Sequence, residues 1–143
     1  MNDRADFARL LGCGVHVGQD DLPAAGARGL LGAGFLIGLS THNEEQFRVA
    51  IEEPIDYVAL GPIFGTASKN NPDPEVGLRT IATLRRLTSL PMVAIGGIKI
   101  ENAADVLESG ADSVAVISGL LPERPGNLAA LTERAAEWLR AVN

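Results

Sequence analysis

The chain has 143 residues, 46% of them apolar, enough for one domain with a real core, 1–143 as a single unit. A net charge of -6 excludes the basic field that nucleic acid or an anionic membrane surface requires, so an anionic ligand must be held by a built pocket. The single cysteine, Cys13, excludes an intrachain disulfide and is assigned no chemistry. The polar start Asn2-Asp3-Arg4 does not read as a signal peptide, and no apolar run reaches the length of a membrane span; the expected location is the cytoplasm.

In chain order, five short apolar runs read as strands: Gly14 to Gly18, Phe35 to Ser40, Asp56 to Gly61, Met92 to Ile98 and Ser113 to Ser118. Their apolar character on both faces suits a parallel sheet covered by helices. Between them lie helical patterns. Thr41 followed by Glu44 has capping-box spacing ahead of Phe47, Ala50 and Ile51. Leu78, Ile81, Leu84 and Leu87 step through a helix that must end before Pro91. Ala103, Val106 and Leu107 mark another, stopped by Gly110 as a left-handed cap. The last carries Leu128, Leu131, Ala135, Trp138, Leu139 and Val142 on one stripe.

Strand starts recur about every 21 residues with one longer unit, and Ile55-Asp56-Tyr57-Val58-Ala59 resembles Ala111-Asp112-Ser113-Val114-Ala115. Repeated βα units make a doubly wound sheet or a barrel. No G-x-G-x-x-G turn follows the first strand, so an α/β fold of the TIM-type (β/α) barrel class is expected.

Each strand is followed at once by polar or glycine residues: Gly18-Gln19-Asp20-Asp21, Ser40-Thr41-His42, Gly61-Pro62 with the loop bearing Thr66, Ser68 and Lys69, then Gly96-Gly97, then Ser118-Gly119. In a barrel these share the C-terminal mouth, where active sites lie. Gly96-Gly97 lets backbone amides approach an anion, and a short helix start at Ser118-Gly119 would aim amides at the same phosphate; a plain tight turn is the alternative for the glycine pair. Asp3 and Asp21 would share a hard cation such as Mg²⁺, or serve singly as cap and turn residues. Lys69 is either a solvated lysine or a point charge for a leaving diphosphate. His16, between Val15 and Val17, is expected to be an interior hydrogen-bonded histidine rather than a catalyst; His42 is a ligand contact or a cap.

The series Asn2-Asp3-Arg4, Gly14-Val15-His16-Val17-Gly18-Gln19-Asp20-Asp21, Ile37-Gly38-Leu39-Ser40-Thr41-His42, Tyr57 to Phe64, Ala94-Ile95-Gly96-Gly97-Ile98 and Val116-Ile117-Ser118 resembles the thiamine phosphate synthase family over essentially the whole chain. The resemblance implies a transferase that joins a pyrimidine methyl diphosphate to a thiazole phosphate by a dissociative route. It implies Asp3 and Asp21 on Mg²⁺, Asn2 and Lys69 on the diphosphate, and Ser40 beside the pyrimidine, with Ser40 and Lys69 in the catalytic roles. Thr66 and Ser68, with Gly97, Ile117 and Ser118, would take the thiazole phosphate. A thiazole tautomerase-like regulator and a non-catalytic phosphate-binding fragment are the alternatives. Against the family's pattern, only about five C-terminal βα units of eight are legible, and the Gln-x-Arg-x-Lys diphosphate grip is not found. The uncovered edges then have three readings: a start assigned too late in a longer reading frame, which is the one expected, closure by a second copy or a complementing chain, or a decayed fragment.

Overall fold

The computed structural model describes residues 1–65, 73–121 and 127–142. Its core is a five-stranded parallel sheet of β1 (Val15–Val17), β2 (Ile37–Thr41), β3 (Tyr57–Leu60), β4 (Met92–Ile95) and β5 (Ser113–Ala115). The strands lie side by side in chain order, β1-β2-β3-β4-β5. All five runs read from the sequence form strands, each within or one residue beyond its expected bounds.

The helices are α1 (Ala5–Leu11), α2 (Ala24–Leu31), α3 (Glu44–Ala50), α4 (Leu78–Leu84, continued by a 3-10 turn over Arg85–Leu87), α5 (Ile100–Glu108) and α6 (Leu128–Val142). α2 to α5 are the crossovers between successive strands. Right-handed crossovers that always advance in one direction put every helix on the same side of a sheet. A doubly wound sheet reverses its order to cover both sides; this one does not, and it has the order of a (β/α) barrel wall.

That one-sidedness sorts the side chains. Val15, Val17, Ile37, Leu39, Val58, Leu60, Met92 and Ala94 point to the helices and are buried there with Phe47, Ile81, Leu84, Ala103 and Val106. The alternate positions form the second face: His16, Gly38, Ser40, Tyr57, Ala59, Val93 and Ile95, by the period of two and the strand register. Most of them are half-exposed. The apolar runs are therefore covered by helices on one face only.

Local signals fare unevenly. The capping box read at Thr41 belongs elsewhere: Thr41 ends β2, is buried, and donates its Oγ1 proton to the Ala59 carbonyl at 2.9 Å. The cap of α3 is Asn43, whose Oδ1 accepts from Gln46 N at 2.8 Å while Gln46 Oε1 accepts from His42 N at 2.7 Å. Gly110 follows α5 with φ 113°, as its place after the helix requires. On α6 the stripe is narrower than expected, for Trp138 is buried but Leu128 and Leu139 are exposed. α1 and α2 had no legible start, because neither has a side-chain cap.

At the N-terminal ends of the strands the repeated Ile/Ala-Asp motif has a structural meaning. Asp56 Oδ2 accepts from Ile37 N at 2.6 Å and from Arg28 Nη2 at 2.7 Å. Asp112 Oδ2 accepts from Met92 N at 2.7 Å and from Arg85 Nη1 at 2.7 Å. In both, the aspartate preceding one strand caps the first amide of the strand before it, and an arginine fastened to nearby carbonyls holds the carboxylate. No described helix is long and apolar enough to cross a membrane.

Candidate active site

At the opposite, C-terminal ends of the strands the second face opens into a cavity of about 440 Å³, bounded by Asn2, His16 and Ser40 at one end and by Gly97, Ile117 and Ser118 at the other. That volume is in the range of small-molecule sites. Residues from five separate strand ends meet there because consecutive parallel strands deliver their following loops to one rim.

One end is acidic. Met1 to Asp3 run along the outer edge of β1, with His16 N donating to the Met1 carbonyl at 2.8 Å and Asp3 N to the His16 carbonyl at 2.9 Å. Asp3 has φ 59°, a left-handed conformation that side chains rarely adopt. It faces Asp21: burial raises the Asp3 carboxyl above its ordinary value, and the hydrogen bond and like charge of Asp21 raise it further. Asp21 is itself oriented by Gly18 N, which donates to its Oδ2 at 2.7 Å. Two carboxylates in this relation suit a hard divalent cation, which takes one or two of them along with substrate oxygens. Among the described residues no group of three or more His, Cys, Asp or Glu gathers as a metal cluster.

The middle of the wall is a hydrogen-bonded chain. His16 Nε2 lies 2.8 Å from Ser40 Oγ and His16 Nδ1 lies 2.9 Å from Tyr57 Oη, with the two rings stacked at 5.6 Å between centroids. Gln19 Nε2 donates to the Ser40 carbonyl at 2.6 Å. His16 is thus the hydrogen-bonded interior histidine expected, and burial lowers its pKa while Asp3 and Asp21 oppose that shift. Burial likewise pushes the Tyr57 phenol up. His42 also lines the cavity; its Nδ1 donates to the Gly61 carbonyl at 2.6 Å, with an Asp73 carboxylate oxygen 3.6 Å away. The His42 backbone, not its ring, takes part in the α3 cap.

At the far end Gly96 and Gly97 both have positive φ, 86° and 67°. A Cβ on Gly97 would lie 2.6 Å from the Phe64 carbonyl oxygen, so this turn is required by close packing on the segment 61–65 as well as open to the cavity. After β5 the chain makes a turn at Ser118-Gly119, with Leu120 and Leu121 N bonding back to the Ile117 carbonyl; residues 122–126, where the expected short helix would continue, lie outside the described residues. The Gly119 carbonyl is held from α6 by Trp138 Nε1 at 3.1 Å and Arg134 Nε at 2.8 Å.

The structure therefore brings Asn2, Asp3, Asp21, Ser40, Gly97, Ile117 and Ser118 to one rim. Thr66, Ser68 and Lys69 lie outside the described residues. Sequence reasoning missed Tyr57 and Gly38 as partners of His16. The signal available was the shared alternation of the three strands, which puts all three on one face once the register is known.

A family model described as thiamine monophosphate synthase matches residues 1–120. Thiamine-phosphate synthase of Koribacter versatilis is 51% identical over 144 residues, 100% of this chain and 65% of that protein. That of Caldicellulosiruptor bescii is 44% identical over 122 residues, 85% of this chain and 56% of that protein. The chain spans between about half and two thirds of the length of the curated relatives it matches. Among solved structures, thiamine phosphate pyrophosphorylase from Pyrococcus furiosus matches at TM-score 0.81 and 29% identity, over 99% of this chain and 67% of that one. A 3-hexulose-6-phosphate synthase, at 21% identity and TM-score 0.60, shares the fold. With 120 of its residues matched by the family model, the chain belongs to the thiamine monophosphate synthase family.

Proposed function

We propose that this chain contributes the C-terminal part of a transferase that joins a pyrimidine methyl diphosphate to a thiazole phosphate, yielding thiamine phosphate and diphosphate. The observation that supports this most is the arrangement around the cavity: Asn2, His16 and Ser40 line one end, with the Asp3–Asp21 carboxylate pair next to His16, and the Gly97 and Ser118 turns line the other. Two anionic groups on two substrates need such separated ends.

In this reading Asp3 and Asp21 hold Mg²⁺, which when bound neutralises diphosphate oxygens. Asn2, on the β1 edge beside them, binds the same diphosphate. Lys69 is assigned there on its motif alone. The carbon–oxygen bond to diphosphate breaks with its electron pair leaving on the diphosphate, and the pyrimidine methyl cation is captured by the thiazole nitrogen, forming the carbon–nitrogen bond. The protein's share is orientation and charge stabilisation, with Ser40 touching the pyrimidine. Thr66, Ser68, Gly97, Ile117 and Ser118 seat the thiazole phosphate. The five βα units form part of a closed barrel, whose remaining wall is supplied beside β1 and β5 by further chain or by a second copy, and the reaction takes place in the cytoplasm.

The test is thiamine phosphate formation from both substrates, with and without Mg²⁺, by the barrel completed with the remaining wall of a relative's synthase. Metal-dependent turnover is expected; a folded, completed barrel without turnover overturns the reading.

A further inference from the structure

His16, Gly38 and Tyr57 are register partners on β1, β2 and β3, and Ser40 stands two residues beyond Gly38 on the same face. Tyr57 reaches His16 only by lying across β2. A Cβ on Gly38 would fall 2.0 Å from the Tyr57 ring, so the missing side chain is what lets the ring pass. The result is an ordered chain, phenol to imidazole to hydroxyl, ending on the cavity wall at Ser40.

The direction of that chain follows from relative acidity. A phenol is a much stronger hydrogen-bond donor than a neutral imidazole N–H, and a bare imidazole nitrogen is a stronger acceptor than a phenol oxygen. Tyr57 Oη–H therefore donates to His16 Nδ1. The imidazole proton is then on Nε2 and donates to Ser40 Oγ, occupying one of its lone pairs. The serine's own proton is left to point away from His16. This is the reverse of a nucleophile relay, in which the serine gives its proton to the imidazole.

We propose that Tyr57 and His16, with Gly38 as the gap that admits the ring, are positioning residues that turn the Ser40 hydroxyl proton into the cavity, where it is donated to an acceptor atom of the heteroaromatic diphosphate substrate. The identity of that substrate rests on the transferase reading above. Ser40 serves as a fixed donor, and no bond to its oxygen forms. Burial of the Tyr57 phenol, which keeps it protonated, works in the same direction.

The two histidines of the chain make the proposal testable without any substrate. His42 Nδ1 faces a carbonyl, which can only accept, so its proton is on Nδ1. His16 is expected to be the opposite tautomer, protonated on Nε2. Two-bond ¹H–¹⁵N correlation of the imidazoles in the whole protein, at mildly alkaline pH, reads both at once. Tyr57→Phe and Gly38→Ala should each remove the Nε2–H preference of His16, the second with every polar group still present. An Nδ1–H tautomer in the wild type, or His16 signals unmoved by both substitutions, overturns the chain's direction.

Kinetics then tests the role. Tyr57→Phe is expected to lower kcat/KM for the pyrimidine diphosphate by about tenfold, the equivalent of one ordinary hydrogen bond, with KM for the thiazole phosphate unchanged. In a Ser40→Ala background the same substitution should have no further effect. An equal loss in both backgrounds means a merely structural tyrosine and overturns the positioning role. A completed barrel with the expected tautomers and no turnover would sink the transferase reading and leave the hydrogen-bonded chain standing.

Discussion

The His16 ring is half-buried between two hydroxyls and close to two carboxylates, and burial is the stronger influence, lowering its affinity for a proton. The unfolded chain then binds more protons than the folded one between the lowered value and the ordinary 6.5, so stability rises with pH through that window and is flat above it. Urea unfolding over that range should show the slope in the wild type and a flatter profile in His16→Gln; identical profiles would contradict the account. Asp3 shifts the other way, held up by burial and by Asp21. Replacing Asp21 by Asn removes the like charge while keeping an acceptor for Gly18 N. The Asp3 carboxyl should then fall back toward 3.8, read by carboxyl ¹³C shifts, and Mg²⁺-dependent diphosphate binding should weaken by at least about 10- to 100-fold, the loss seen when even outer partners of a metal ligand are removed.

Among the elements, β2 with β3 and β4 with β5 are fastened by the same device, an aspartate that caps its neighbour's first amide under an arginine. Asp56→Ala leaves the Ile37 amide without this acceptor and Arg28 without its counter-charge, at an expected cost of about 1–3 kcal/mol. Asp112→Ala should cost less, since Asp112 is 54% exposed against 34% for Asp56 and water replaces its bonds more readily. Thermal unfolding of both single variants checks the order, and the double should be additive because the pairs share no partner. The likeness of the two motifs was visible in the sequence, but its meaning was not. A motif names the aspartate, whereas the amide it caps lies 19 or 20 residues away and becomes its neighbour only when the strands pair. The strands themselves were legible as short apolar runs bounded by polar or glycine residues, because a parallel sheet under helices needs buried Val, Ile and Leu in segments too short for a helix. The true cap of α3 was not, since Thr41 and Asn43 are both good capping types and only β2's length decides between them.

For the molecule as a whole, consecutive strand order separates two tasks along one axis. The cavity and its candidate site lie at the C-terminal rim and the aspartate fastenings at the N-terminal rim, a strand's length apart. Ser40→Ala is therefore expected to lower kcat by about a hundredfold, the scale of losing one placed donor, with little change in melting temperature. Asp56→Ala should lower the melting temperature with little change in kcat, and a combined variant should show both losses in full. Coupling between them, measured in a double-mutant cycle, would contradict the separation. The clusters read after each strand fall together at this rim wherever their residues are described, because any parallel sheet wound in one direction collects its following loops together. They could not predict the Tyr57–His16–Ser40 chain, which depends on a ring crossing an intervening strand. The two aspartate fastenings also say where this wall tolerates a change of length. Each joins one pair of neighbouring strands and the pairs do not overlap, so a βα unit inserted between β2 and β3 or between β4 and β5 parts an aspartate from the amide and arginine it holds, whereas one inserted directly after β3 leaves both fastenings intact.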